Sequence, residues 1–569
     1  MDANHYGAYQ LYVVSGLTLL VSYVSILCRS QLQEATIRAV RQALLPNASA
    51  GHLDGLTRGD LEDVGLEATK WKCGVCAFYN PDETDACVLC DTSRAMFLLA
   101  APEFGDCENT IPIENLNLKQ RAAWQRKQWT RDIDAVGEAY WNNAPGIPPT
   151  PSAIIYLVHS TRSSYASTAA LALSPLTAAS ASKTLLGDPI ASWWLPNLKT
   201  LRSYNFSIKY AWLLEQLSLV YTGHTKIEVR RATLMPMSLK LLGEIKPDNL
   251  CTKTKVTLLG ESAVDAGGVS REWYTLVTMA IFETKEGLFM VANKDDQSFF
   301  INPNSERDHG PNHLADFQAV GRLLGRAIID GQVLPFHFCV PLFKMLLGYP
   351  VSIEDVRYLD LTVYSNLTYI RDCDDVDDLA LTFSVSVDTD VPEVELVVGG
   401  RDVGVTNANK TEYVERMVQY LMFERVAPQL QRLVQGLYDV LPQELLMPFD
   451  YKELELILCG FSEIDTLEDV VGWFWEVVEF DMTPSDRAKL LQFTTGSSRV
   501  PLQGFKGLTS YDGRLCPFNL YGIPYHVGAF PRGHSCFNRI DLPIYPSREL
   551  MKDALFALVA MESLEFTIV

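Results

Sequence analysis

Basic residues are scarce in this 569-residue sequence, which has 48 lysines and arginines against 69 aspartates and glutamates and a formal net charge of −21. Such a surface repels phosphate backbones over most of its area, so we predict no nucleic-acid partner. Cysteine is also sparse: the 12 cysteines are scattered apart from one group of four, unlike a secreted disulfide framework. With 48% hydrophobic residues, the chain has enough apolar side chains to build several domains.

Charge is absent from residues 11–28, which read LYVVSGLTLLVSYVSILC. A run of 18 mostly apolar residues reaches the length of a transmembrane helix, and no Lys or Arg precedes it as in a secretory signal peptide. Arg29, Arg38 and Arg41 follow the run, so the positive-inside rule places the C-terminal side in the cytosol. We predict a single-pass membrane anchor with a cytosolic C-terminal part. The alternative, favoured by the serines and glycine in the run, is a buried helix in a cytoplasmic protein.

The four grouped cysteines form two Cys-x-x-Cys pairs. They are Cys73, Cys76, Cys87 and Cys90. Four thiolates at this spacing suit tetrahedral zinc, since each pair turns tightly and aims two sulfurs at the metal. A segment this short cannot bury a core, so metal binding must supply its folding free energy. We therefore predict a structural zinc ion in a finger at residues 69–96.

The finger resembles the zinc fingers named after the nucleoporin Ran-binding protein, because Trp71 and Asn80 stand at the family's tryptophan and asparagine positions. That family contains ubiquitin binders and RNA binders. The ubiquitin binders carry Thr-Phe after the second cysteine and an apolar residue between the last two. Here an alanine precedes Phe78, and the apolar residue is Leu89. Acidic side chains between the two cysteine pairs would repel RNA, so the resemblance favours ubiquitin binding through Phe78 and Leu89.

Residues 97–204 carry weaker signals. Apolar residues spaced among Lys and Arg over residues 115–137 predict an amphipathic helix, and we expect its basic face to be solvated, with partner binding as the alternative. Residues 145–182 are rich in Pro, Ser, Ala and Thr without a clear period, which indicates a linker. We predict that 97–204 is a linker containing one amphipathic helix.

A third motif lies near the C-terminus, where Cys536 stands two residues after His534 and three before Arg539. Only a thiolate is a good sulfur nucleophile, and nearby positive charge favours it. A buried cysteine with incidental neighbours is the alternative. The segment resembles the active-site signature His-Thr-Cys-Phe-Asn of HECT-type ubiquitin ligases, with Ser535 in place of the threonine.

The resemblance to this family extends over residues 205–569 through separate motifs in the family's order. Among them are Leu323-Leu324-Gly325-Arg326, Trp473-Phe474-Trp475 and Leu490-Leu491-Gln492-Phe493. It implies an α+β fold of two lobes, with a mostly helical N-lobe at 205–465 and a smaller α/β C-lobe at 466–569. The C-lobe would carry Cys536.

The resemblance also implies residue roles. Cys536 would accept ubiquitin from a conjugating enzyme as a thioester and pass it to lysines of protein substrates. His534 would stabilise the thiolate or an oxyanion, with structural hydrogen bonding as the alternative. Asp541 would orient or deprotonate the attacking amine, with capping of a turn before Leu542-Pro543 as the alternative. Phe566, four residues from the end, would pack one lobe on the other. Candidate contacts for the conjugating enzyme, with core packing as the alternative, are Tyr364, Leu367 and Ile370.

Two other functions are compatible with a reactive cysteine. A cysteine hydrolase also needs a histidine, but that residue normally lies far along the sequence, and the nine histidines here form no hydrolase signature. A catalytically impaired scaffold that only binds ubiquitin stays open, because residues 511–533 depart from the family pattern. The combined signals predict a ubiquitin-protein ligase.

Overall fold

The computed structural model describes most of the chain after residue 69. The described residues are 70–81, 84–99, 109–143, 154–161, 170–176, 181–191, 194–218, 223–260, 268–293, 298–386, 393–460, 468–495, 498, 518–523, 525, 528–534 and 538–561. The predicted anchor at 11–28 lies outside them. Among the helices of the described part, none combines the length and apolar character needed to cross a membrane.

The helices in the described part are α1 (Leu118–Gln125), α2 (Trp194–Ser203), α3 (Phe206–Ser218), α4 (Leu234–Glu244), α5 (Gly268–Ile281), α6 (Ser305–Asp308), α7 (His313–Asp330), α8 (Val340–Leu347), α9 (Ile353–Val356), α10 (Leu361–Asp372), α11 (Lys410–Met422), α12 (Ala427–Val440), α13 (Gln443–Leu446), α14 (Tyr451–Cys459), α15 (Glu468–Glu476), α16 (Pro484–Thr495) and α17 (Arg548–Met561). A π-helical turn, Val477–Asp481, follows α15.

The strands are β1 (Lys70–Lys72), β2 (Tyr79–Pro81), β3 (Phe97–Leu98), β4 (Thr110–Ile111), β5 (Trp129–Ile133), β6 (Ala139–Asn143), β7 (Tyr156–Ser160), β8 (Leu171–Pro175), β9 (His224–Val229), β10 (Lys253–Leu258), β11 (Phe289–Asn293), β12 (Ser298–Ile301), β13 (Ser384–Val385), β14 (Val394–Glu395), β15 (Asn519–Ile523), β16 (Arg532–His534) and β17 (Arg539–Pro543). The chain divides into two units. The larger holds residues 111–459 and the smaller holds 71–97 and 460 onward.

The larger unit is built around the helices α7 and α12, whose backbones approach closely at glycines. A Cβ atom on Gly436 would lie 2.0 Å from the carbonyl oxygen of Gln318, and one on Gly321 would lie 2.1 Å from that of Leu433. Only glycine leaves room for this approach. Apolar side chains from both helices and their neighbours form one continuous core.

The segment predicted as a linker is folded in its described parts. It contains α1, β5 to β8 and α2, and buried residues such as Ala122 and Tyr156 belong to the core of the larger unit. The linker prediction for 97–204 is therefore wrong there. The amphipathic helix is present but short, because α1 ends at Gln125 and β5 begins at Trp129.

The basic residues of this segment are not all solvated as predicted. The Arg126 guanidinium is 2% exposed and donates to Asp450 at 2.7 Å and to Glu453 at 3.4 Å. Glu453 also pairs with the buried ammonium of Lys209. The prediction was wrong because the partner of Arg126, Asp450, follows it by 324 positions, beyond the reach of any local pattern.

The smaller unit contains the β1–β2 hairpin and a three-stranded sheet in the order β15–β17–β16. The central strand β17 runs parallel to β15 and antiparallel to β16. Ile540 and Leu542 point from β17 into a core completed by α15, α16 and α17. The predicted α+β fold, with a larger helical part and a smaller α/β part, is confirmed.

Candidate functional site: a cysteine cluster and a cysteine-bearing turn

The four cysteines predicted as ligands come together in the finger. The Sγ of Cys76 lies 3.6 Å from that of Cys87 and 3.5 Å from that of Cys90. The Sγ atoms of Cys73 and Cys90 are 3.7 Å apart, and all four cysteines are buried. Tetrahedral zinc with Zn–S bonds of about 2.3 Å has sulfur–sulfur edges of about 3.8 Å. The donor set therefore fits a tetrahedral metal ion.

The two halves of the cluster share one backbone geometry. Ala77 and Asp91 each follow the second cysteine of a pair, and each has φ of 56°. The amide of Ala77 donates to the carbonyl of Cys73 at 3.0 Å, and the amide of Asp91 donates to that of Cys87 at 2.8 Å. Left-handed φ is uncommon for residues other than glycine, and here it occurs at the same position after each cysteine pair.

The tryptophan and asparagine of the finger pattern have structural roles. Trp71 donates from Nε1 to the Thr84 hydroxyl at 3.1 Å. Asn80 is fully buried, and its side chain donates to the carbonyl of Phe78 at 3.1 Å while accepting from the amide of Val88 at 2.9 Å. Asn80 thus ties the first cysteine turn to the second.

The two predicted ubiquitin contacts of the finger are not at the surface. Phe78 is 4% exposed and Leu89 is 2% exposed. Contact with a partner requires accessible atoms, and these side chains offer almost none as the chain is folded. The neighbouring Tyr79 is 45% exposed. The sequence analysis did not assign Tyr79, because the family pattern leaves its position unspecified.

The turn that carries Cys536 joins two paired strands. His534 of β16 faces Arg539 of β17, so residues 535–538 make the connection. Residues 535–537, the side chain of His534 and Phe566 lie outside the described part. Before the turn, a Cβ on Gly533 would lie 2.5 Å from the carbonyl oxygen of Phe493, so the strand passes too close to α16 for any other residue.

Asp541 is described, and it lies on the face of β17 opposite the core. Its carboxylate accepts from Arg539 Nε at 2.6 Å, and the two side chains are 13% and 24% exposed. The Arg539 guanidinium lies 3.8 Å from the ring centre of Tyr521, on the adjacent strand β15. Asp541 lies within β17 and pairs with Arg539, so the turn-capping alternative predicted for it is not observed. Tyr521 is a further residue of this face that the sequence analysis did not identify.

The helices around this sheet are joined by ion pairs. Lys552 Nζ lies 2.7 Å from Asp481, and Arg548 Nε lies 3.1 Å from Glu476. The Lys552 ammonium, with help from Arg548, holds the pKa of Asp481 below its usual value. These contacts join α17 to the turn that ends the α15 segment.

The candidate contacts for a conjugating enzyme lie on α10, and two of them are core residues. Leu367 is 2% exposed and Ile370 is 7% exposed, so both pack inward. The Tyr364 hydroxyl is held between Arg357 at 2.6 Å and Glu354 at 3.0 Å. The exposed apolar residues of the same helix are Leu361 and Tyr369, at 54% and 60%. Spacing alone could not distinguish the two faces.

Comparison with known proteins places this chain in a family. Residues 275–568 match the family model described as HECT-domain (ubiquitin-transferase). The E3 ubiquitin-protein ligase UPL2 of Arabidopsis thaliana is 36% identical over 388 residues, covering 63% of this chain and 10% of that protein. The E3 ubiquitin-protein ligase Smurf1 of Drosophila melanogaster is 36% identical over 356 residues, covering 59% of this chain and 33% of that protein.

The E3 ubiquitin-protein ligase TOM1 of Saccharomyces cerevisiae is 37% identical over 322 residues, covering 53% of this chain and 10% of that protein. The chain thus spans from a tenth to a third of the length of these relatives. The family model, by contrast, covers more than half of the chain. The chain therefore belongs to the HECT-domain family.

Proposed function

We propose that this protein is a HECT-type ubiquitin-protein ligase that carries ubiquitin as a thioester on Cys536 and transfers it to lysines of protein substrates. The observation that carries the proposal is the family match over residues 275–568, which includes the cysteine-bearing turn. The relatives named as ligases align over more than half of this chain. The conjugating enzyme, ubiquitin and a protein substrate are the partners that this chemistry requires.

The first step is an exchange of thioesters. The Cys536 thiolate attacks the carbonyl carbon of the thioester that joins ubiquitin to the conjugating enzyme. A new C–S bond to Cys536 forms, the old C–S bond breaks, and the cysteine of the conjugating enzyme leaves as a thiolate. In the second step a lysine amine attacks the same carbon, an isopeptide bond forms and the Cys536 thiolate is released. The two thioesters have similar bond energies, so alignment and thiolate supply govern the first step.

The second step requires that the amine lose a proton. We assign to Asp541 the role of orienting that amine, with Arg539 holding the carboxylate in place at 2.6 Å. His534 is assigned to stabilising the thiolate. Asp541→Asn should slow the transfer to lysine more than the loading of Cys536, and equal slowing of both steps would refute the assignment.

A thioester assay tests the proposal. The full chain, activating enzyme, conjugating enzyme, ubiquitin and ATP should give a ubiquitin adduct that thiols cleave. Cys536→Ala should abolish the adduct, whereas Cys373→Ala, at a half-buried cysteine of the larger unit, should not. An intact wild-type chain that forms no adduct would indicate the impaired scaffold, and cleavage of ubiquitin chains would indicate a hydrolase.

Phe566 is proposed to act after loading. Deleting residues 566–569 should spare the Cys536 thioester and slow isopeptide formation, because packing between lobes aligns the loaded cysteine with its acceptor. Single-turnover transfer from preloaded ligase to a lysine substrate measures that step. Equal loss of loading and transfer would contradict this role.

The finger is proposed to hold a structural zinc ion through its four cysteines, as a finger of the Ran-binding-protein type. The buried tetrahedral donor set supports zinc, whose preferred ligands include thiolates. Ubiquitin binding by the finger rests on the family resemblance. Since Phe78 is buried, binding through it would require its exposure, whereas Tyr79 is already accessible. Titration of labelled ubiquitin with Phe78→Ala and Tyr79→Ala chains shows which of the two side chains contributes to ubiquitin binding.

Residues 11–28 are proposed as a single membrane span with the ligase on the cytosolic side. The support is the uncharged run, which has arginines near it only on its C-terminal side. The full-length protein should stay in the membrane pellet under alkaline carbonate. Release into the supernatant would refute a spanning helix and leave a cytoplasmic protein.

A further inference from the structure

Arg131 is a buried cation for which the described part of the chain supplies no counter-charge. It lies on β5 and is 8% exposed. Its Nη1 donates to the sulfur of Met447 at 3.6 Å, which is a weak acceptor, and its Nε has no hydrogen-bond partner. Among the described residues, no carboxylate lies within ion-pair distance of this guanidinium. Burying an unpaired charge is costly, so an arginine in this position needs an explanation.

A second cation lies beside it. The Arg202 guanidinium lies over the Tyr349 ring and donates to its hydroxyl at 2.5 Å. The Arg131 guanidinium lies over the Trp141 ring at 4.9 Å, and the Trp141 and Tyr349 rings are in edge contact at 5.4 Å. The two guanidinium groups therefore lie against two aromatic rings, Trp141 and Tyr349, that contact each other. Two positive charges are thus close together in this part of the unit.

Neither proton loss nor a nearby acid removes this charge. Burial, with the charge of Arg202, lowers the pKa of Arg131 to about 9, so the group remains a cation at neutral pH. The neighbouring Asp132 accepts from Lys199 at 2.8 Å, and its charge also acts on Arg202 but not on Arg131. Residues 144–153, which follow β6, contain no Asp or Glu.

On the same face of β6, two more buried polar atoms find no partner among the residues that the structure describes. These atoms are the donor Trp141 Nε1 and the acceptor Asn143 Oδ1. Trp141 faces Arg131 across the β5–β6 ladder, and Asn143 follows two residues later, so both side chains project to one side. Buried polar atoms are nearly always paired, so three such atoms on one face of the β5–β6 ladder, unpaired among the described residues, indicate a missing ligand.

We propose that Arg131, Arg202, Trp141 and Asn143 form a binding site for a small oxyanion of the phosphate class. Guanidinium forks and an indole N–H donate to phosphate oxygens, and the hydroxyl of a monohydrogen or dihydrogen phosphate donates to Asn143. The burial of Arg131 restricts the ligand to inorganic phosphate or a small phosphate ester. Five residues earlier, Arg126 is also buried, but it pairs with two carboxylates of the chain itself.

Calorimetric titration of the full chain with inorganic phosphate, at constant ionic strength in chloride, tests the site. We expect saturable binding by the wild type and binding weakened at least about tenfold in Arg131→Met, since a charge-assisted hydrogen bond is lost. The matched control is Arg401→Met, at a guanidinium 51% exposed, which should bind as the wild type does. Phosphorus NMR line broadening gives an independent readout.

A second variant keeps the test decisive if Arg131→Met does not fold. Met447→Glu places a carboxylate where the sulfur now accepts from Arg131, so an internal counter-ion should replace phosphate and abolish its binding. Sulfate, which carries no hydroxyl hydrogen for Asn143, should bind more weakly than phosphate. The proposal is overturned by a wild type that binds no phosphate saturably, or by Arg131→Met or Met447→Glu chains that bind it as well as the wild type.

Discussion

The finger and the larger unit both bury polar groups, but they neutralise them differently. In the finger, four thiols from residues 73–90 converge on a position suited to one metal ion. In the larger unit, Arg126 and Lys209 meet Asp450 and Glu453, so the counter-charges belong to the chain itself. If the finger holds its proposed zinc ion, it depends on an external ion and on cysteines that are close in sequence. The ion-pair network of the larger unit depends on residues brought together only by the fold.

The difference shows in how each region should respond to disruption. Burial raises the pKa of Asp450, but Arg126 and Lys209 outweigh that effect and leave it below its usual value. The carboxylate therefore stays charged in the core and compensates two cations. No solute has to be bound for this network to form, whereas the finger's stability should follow the metal concentration.

The largest effect should come from removing a metal ligand. Cys87→Ser should abolish ordered folding of the finger, because thiolate coordination contributes on the order of 10 kcal/mol in such segments. Hydrogen exchange in residues 71–81 and 84–99 should become fast while α7 stays protected. Cys251→Ser, at a buried cysteine outside the cluster, should leave zinc content unchanged. Retained finger protection in Cys87→Ser would mean that the metal is dispensable.

Breaking the internal network should come next. Glu453→Gln leaves Lys209 and Arg126 undercompensated in the core and should lower the free energy of unfolding of the larger unit by about 3–5 kcal/mol. Glu283→Gln, in an exposed pair with Lys285, should change it by less than about 1 kcal/mol. Denaturant dependence of hydrogen exchange in α12 measures both. Similar values for the two variants would remove the distinction between buried and exposed pairs.

Disturbing the close packing of α7 on α12, which involves no charge, should have a smaller effect. Gly436→Ala brings a methyl group against the backbone of α7 and should cost about 1–3 kcal/mol. Gly243→Ala, at a helical position in α4 with nothing within 4 Å, should instead stabilise by about 0.5–1 kcal/mol. Thermal unfolding followed in the larger unit compares the two. Tolerance of Gly436→Ala would show that the helices can separate at little cost.

The smallest effect concerns the partly buried pair His309–Asp316. The hydrogen bond to Asp316 raises the pKa of His309 above its usual 6.5. A raised pKa in the folded state gives stability that is complete below the unfolded value of about 6.5 and is lost as pH rises through the folded value. His309→Gln should flatten this part of the pH dependence of unfolding. An unchanged profile would mean that another group titrates there.

Contacts between residues close in sequence could be predicted, whereas contacts between residues far apart in sequence could not. The four cysteine ligands were predictable because their chemistry is local, and all four meet in the structure. The α+β fold was predictable from motifs spread over the C-terminal part. The burial of Arg126 was not, because its partner Asp450 lies 324 residues away. Phe78 and Leu367 were assigned to surfaces, but only the tertiary packing determines which side of an element faces the core.

The pairing of β16 with β17 has a consequence for how the cysteine-bearing turn can vary. Ile540 and Leu542 occupy the core face of β17, while Asp541 occupies the other face. Deleting one residue between His534 and Arg539 while keeping β16 in place would shift β17 by one position and turn both apolar side chains outward. Engineered or natural variants can therefore change the residues of this turn far more readily than its length. The spacing around Cys536 is constrained by the core beneath it, independently of the reaction at the sulfur.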